Sequence, residues 1–127
     1  MNVLIGTDII EINRIKKALK NEKFLKRIYT ENEIKYCEEK GVQKYQSYAG
    51  KFSAKEAVYK ALNTKIDSFK WTDIEILNDE NGKPYINFLN TDIEGKIEDI
   101  DISISHCKEY AIASVVLILK NKWKIFK

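Results

Sequence analysis

Glu56 and Lys60 stand four residues apart in GKFSAKEAVYKAL (Gly50 to Leu62), and Asp8 stands within the apolar opening MNVLIGTDII. On a helical wheel, at about 100° per residue, Glu56 and Lys60 share a face with Ala49, Ser53 and Ala57. Such small neighbours leave room for another backbone or a ligand. A surface pair at this spacing is worth only a few tenths of a kcal/mol, so it becomes chemistry only when other groups join it. Lys51 and Lys55 belong to the same stretch. Lys55 falls inside the apolar arc of Tyr48, Phe52, Val58, Tyr59 and Leu62, where a charge needs a partner or a route to water.

Other chemistries lack their parts. His106 is the single histidine, and Cys107 beside it would point to the opposite face of a strand, so the two make no direct dyad. Zinc needs more Cys or His than the chain has, and neither GxGxxG nor a P-loop is present. Hard oxygen ligands and cations remain: Asp8, Glu56, Lys51, Lys55 and Lys60. Two carboxylates sharing a phosphate describe a magnesium site, and lysines beside it suit phosphate chemistry.

The elements that position these residues follow from periodicity. Val3 to Ile12 alternates as a strand, placing Asp8 with Leu4, Gly6, Ile10 and Ile12. A carboxylate on that face requires a cation, a metal or strong donors, unless it only caps a strand end. Asn13 is expected to cap a first helix to about Leu19, and Asn21 to Ile28 a second short turn. Thr30 with Glu33 spells a capping box for a third helix that stops near Gly41. The central helix spans Val42 to Leu62, with Asn63 at its end. Trp71 to Leu77 and Pro84 to Phe88 read as a hairpin around Asn81-Gly82. Asn90 to Lys96 is a loop or helical turn. Asp99 to His106 alternates, with Ser103 and Ser105 opposite His106, and Tyr110 to Leu119 reads as a buried central strand. The fold class is α+β, an antiparallel sheet packed on a long central helix, in one domain over 1–127.

Of the 127 residues 44% are hydrophobic and 32% charged, which fits one globular domain. No apolar run reaches a membrane span, no signal peptide is legible, and two cysteines make no disulfide scaffold; a reduced cytoplasmic protein is the expectation. The net charge of +3 is unevenly spread. Arg14, Lys16, Lys17, Lys20, Lys23, Lys26 and Arg27 face one acid, Glu22, so an acidic partner is implied unless the run is a solvated face.

GTDIIEI (Gly6 to Ile12), YTENEIKYC (Tyr29 to Cys37), KFSAKEAVYKA (Lys51 to Ala61) and SISH (Ser103 to His106) occur in an order that resembles the holo-acyl-carrier-protein synthases, small bacterial 4′-phosphopantetheinyl transferases. The resemblance implies transfer of phosphopantetheine from coenzyme A to a serine of an apo acyl carrier protein, in fatty acid biosynthesis, with release of adenosine 3′,5′-bisphosphate. It implies Asp8 and Glu56 as Mg2+ ligands and Lys60 at the diphosphate, with the serine proton passing to Glu56 or a metal-bound water. Lys51, Pro84, Ser103, Ser105 and His106 would lie along coenzyme A. Arg14, Lys17, Lys20 and Phe24 would meet the acidic carrier protein. A homotrimer with the site between neighbouring subunits is also implied.

The chain departs from the family pattern in two places: Lys51 stands where the family often has arginine, and Asn63-Thr64-Lys65 stands where a glycine-rich turn is usual. A basic nucleic-acid-binding module is the competing class. Against it, Asp8 and Glu56 would repel phosphates without a metal, and the basic run lacks base-stacking spacing.

Overall fold

The opening strand, β1, spans Asn2–Glu11 in the computed structural model, which describes residues 2–63 and 69–120. Its side chains alternate: Gly6 is buried, Leu4, Asp8 and Ile10 are half-buried, and Val3, Ile5, Thr7 and Ile9 are exposed. Helix α1 (Ile12–Ala18) starts earlier than an Asn13 cap would allow. No side chain caps it; buried Ile12 instead donates its N–H to the Glu109 carbonyl at 2.9 Å. Helix α2 (Glu22–Ile28) is capped by Asn21. Helix α3 (Glu31–Glu38) opens on the expected capping box, in which Glu33 N–H donates to Thr30 Oγ1 and Thr30 N–H to Glu33 Oε1.

A 3-10 turn at Gly41–Gln43 leads into α4 (Lys44–Leu62), the central helix. Trp71–Asp73 is another 3-10 turn, so β2 (Ile74–Asn78) begins later than expected before pairing with β3 (Pro84–Phe88). Helix α5 (Thr91–Glu94) precedes β4 (Ile97–His106) and β5 (Tyr110–Leu119). The strands form two antiparallel sheets rather than one: β1-β5-β4, and the hairpin β2-β3. Strand β5 is central as expected but is buried on one face only, because its side chains alternate between α4 and solvent.

Helix α4 is buried almost all round, with the three-stranded sheet on one side and α1 to α3 on the other. The face of small residues is therefore covered by protein. At Gly6 the approach is so close that a Cβ would lie 2.0 Å from the Ala57 carbonyl oxygen. Only glycine permits that contact. Lys55, inside the apolar arc, finds the partner it needs: its Nζ lies 2.7 Å from Glu33, and both side chains are fully buried. Lys55 also donates to the Ile28 and Trp71 carbonyls at 2.6 and 3.0 Å. The other Glu33 oxygen accepts the Ile76 N–H at 2.7 Å. This one ion pair ties α4 to α2, α3 and β2. Among the described residues, no helix is long and apolar enough to cross a membrane.

Lys55→Met should leave the Glu33 carboxyl without its ion-pair partner in the core, at a cost of about 3–5 kcal/mol in urea unfolding. In that background, Glu33→Gln should cost less than it does in the otherwise unchanged protein. Equal costs in both backgrounds would show that the two side chains do not act as a pair.

Candidate active site

Asp8 and Glu56 reach one cleft from two elements, β1 and α4, and share its lining with Ile10, Arg14, Phe24 and Phe52. Strand alternation turns Asp8 toward the helix, and the Gly6 contact brings the helix close enough to meet it. Lys60 Nζ lies 3.0 Å from Asp8 Oδ1 and donates to the Thr7 carbonyl at 3.2 Å. The ammonium thus pairs across to the strand, not along its own helix with Glu56. Asp8's side chain is 11% exposed and that of Lys60 53%, so the lysine can leave and the aspartate cannot. Ser53, buried on the same helix face, donates to the Asp8 carbonyl and Oδ2 at 2.8 and 3.0 Å.

Glu56 is half-buried and makes no hydrogen bond or ion pair among the described residues. Burial, and then the Asp8 charge, hold its carboxyl above the usual glutamate range, against the opposing pull of Lys60. Two carboxylates that repel each other, one with no donor, fit a divalent cation that would relieve the repulsion. No group of three or more His, Cys, Asp or Glu among the described residues could hold a metal, and Asp8 and Glu56 are the carboxylates that line this cleft. Magnesium, which keeps waters and takes one or two carboxylates, suits such a set.

Lys51, Pro84 and His106 line a second cleft with Tyr36, Ser47, Asn78 and Ile104. Lys51 is buried rather than free: its Nζ donates to the Ile76 carbonyl at 2.5 Å and to Asn78 Oδ1 at 2.8 Å, above the Tyr36 ring at 4.4 Å. Burial lowers its pKa. Ser103 and Ser105 are not in this cleft. They point to the opposite face of β4, beside Ser114 and Ile112 of β5. That outer face also carries Ile5 and Ile9, which are 74% and 61% exposed.

The basic run does not form one helical stripe. Helix α1 ends at Ala18, so Lys20 lies in the following turn and borders a different groove with Lys16, Lys44 and Tyr45. Arg14 lines the carboxylate cleft, Lys17 is exposed, and half-buried Phe24 packs tilted against Phe52 with ring centroids 6.3 Å apart. Cys37 is buried, which pushes its thiol up to about 12, and Cys107 is exposed beyond β4. Thr64 and Lys65 lie outside the described residues.

Three residues could not be placed from sequence. Ser53 read only as a small neighbour on the right face. Tyr36 and Asn78 read only as parts of the third helix and of the hairpin, since their partner Lys51 comes from another element.

A family model described as the 4′-phosphopantetheinyl transferase superfamily matches residues 4–115. A holo-acyl-carrier-protein synthase of Ruminiclostridium cellulolyticum is 44% identical, with 98% of each chain covered. Among solved structures, the Bacillus anthracis holo-acyl-carrier-protein synthase in complex with CoA (3′,5′-ADP) is 41% identical at a TM-score of 0.74, covering 90% of this chain and 94% of that one. The Helicobacter pylori enzyme in complex with coenzyme A is 36% identical at a TM-score of 0.80, covering 91% of this chain and 100% of that one.

Proposed function

The chain belongs to the holo-acyl-carrier-protein synthases of the 4′-phosphopantetheinyl transferase superfamily and is a transferase; from this premise we propose that it moves 4′-phosphopantetheine from coenzyme A onto a serine hydroxyl of an apo acyl carrier protein, in the cytoplasm and in support of fatty acid synthesis. The observation that carries the reading is the cleft where Asp8 and Glu56 meet beside Arg14, with Lys60 on Asp8. Relatives solved with coenzyme A support the donor.

In the reaction, the serine oxygen bonds to the phosphorus attached to pantetheine. The bond from that phosphorus to the bridging oxygen breaks, and the electron pair leaves with adenosine 3′,5′-bisphosphate. Glu56, which opens into the cleft with no hydrogen-bond donor of its own among the described residues, or a water beside it, is the acceptor for the serine proton. Lys60 exchanges its exposed contact with Asp8 for the diphosphate and stabilises charge on the leaving oxygen. Magnesium, which Asp8 and Glu56 would hold, supplies charge neutralisation at the diphosphate.

Within one chain, the cleft of Lys51, Pro84 and His106 is separate from that of the carboxylates. A homotrimer would join the two between neighbouring subunits. The exposed apolar face of β1-β5-β4 supports such an assembly. Ser103 and Ser105 then belong to that face, where a neighbour would bring them near its own site.

Asp8→Asn and Glu56→Gln should each lower the release of adenosine 3′,5′-bisphosphate by about 100-fold or more, with the far-UV circular dichroism unchanged. Near-normal turnover in either variant would remove that carboxylate from the reaction. Light scattering should give the mass of three chains, and an active monomer would refute the shared site. Arg14→Glu should raise KM for the carrier protein severalfold and weaken its salt dependence, leaving KM for coenzyme A unchanged. Equal effects on both substrates would move Arg14 away from the carrier surface.

A further inference from the structure

Ser53 is fully buried, and its hydroxyl has two acceptors, the backbone carbonyl and the carboxylate Oδ2 of Asp8. Neither belongs to its own helix, although a serine in mid-helix commonly bonds back to the preceding turn. Lys60, two turns along the same face of α4, holds the other carboxylate oxygen, Oδ1. The Asp8 side chain is thus clamped by two donors of unequal permanence. Lys60 is half exposed and can exchange Asp8 for a phosphate; Ser53 has no route to water. When Lys60 leaves, the serine is the contact that remains.

We infer that Ser53 is a positioning residue: its hydroxyl fixes the Asp8 rotamer that presents this carboxylate to a divalent cation. The inference rests on the metal reading above. One hydroxyl proton shared between two oxygens of the same residue locks the side chain against its own backbone. Partners that orient a metal ligand in this way typically contribute about 10–100-fold in affinity. Alanine would keep the helix fit beside β1 and delete only the donor.

The test is titration of Mn2+ alone into the full chain, with the free aqua ion followed by its paramagnetic resonance spectrum. Thermal melts of the metal-free proteins would run in parallel. Ser53→Ala should weaken Mn2+ binding about tenfold while remaining folded. Ser53→Cys, which keeps a weak S–H donor, should fall between alanine and serine. A merely structural role would lower the melting temperature and leave the Mn2+ affinity unchanged; that result overturns the inference. Should Ser53→Ala fail to fold, unchanged affinity in Ser53→Cys overturns it equally. If the unsubstituted chain takes up no Mn2+, the metal reading itself fails and this inference falls with it. If the unsubstituted chain binds Mn2+, Asp8→Asn does not and Ser53→Ala binds normally, only the inference fails.

Discussion

The closeness of α4 to β1 is the constraint on which the site depends. At Gly6 the strand backbone runs against the Ala57 carbonyl with no space for a side chain. That distance puts Asp8, two residues along the strand, within hydrogen-bond reach of Ser53 and Lys60. Glu56 then opens into the same cleft from the helix. A larger residue at position 6 would have to push the helix away, and every one of these contacts would lengthen with it. The small residues Ser53 and Ala57 serve this approach. They admit a strand, not a ligand.

The other side of the helix is held by the Lys55–Glu33 pair. A buried charge pair is an expensive way to join elements, and an apolar contact of equal volume often does as well. Here the pair also satisfies backbone groups that would otherwise be stranded: carbonyls at the end of α2 and at Trp71, an N–H at the start of α3 and another in the middle of β2. Strand β1 and the helical layer thereby act on α4 from opposite faces. Residues next to each other in sequence divide the labour, with Lys55 anchoring the helix in the core and Glu56 facing the cleft.

Local features were legible in the sequence wherever local physics decides them. The Thr30–Glu33 capping box, the Asn81-Gly82 turn with Gly82 at φ 85°, and the alternation that turns Asp8 inward all follow from neighbours a few residues apart. What could not be read depends on distant partners. The start of α1 is set by Glu109, nearly a hundred positions away, and not by the polar residue at hand. Helix α4 showed one apolar stripe because its small face carries no hydrophobic signal, yet both faces are buried. The contacts of Lys51 with Ile76 and Asn78 were not legible either, because both partners come from another element. Of the candidate site, the carboxylates were legible from family motifs and strand geometry, whereas the pairing of Lys60 with Asp8 is a tertiary fact.

The proposed transfer of phosphopantetheine runs in the cleft that β1 and α4 build together. An intact-protein mass spectrum tests it most directly, taken on an apo acyl carrier protein incubated with the chain, coenzyme A and magnesium. The carrier should become heavier by one phosphopantetheine group, attached at a single serine, with one adenosine 3′,5′-bisphosphate released per adduct. Carrier proteins of unchanged mass, across several apo carriers and with folded enzyme, would overturn it.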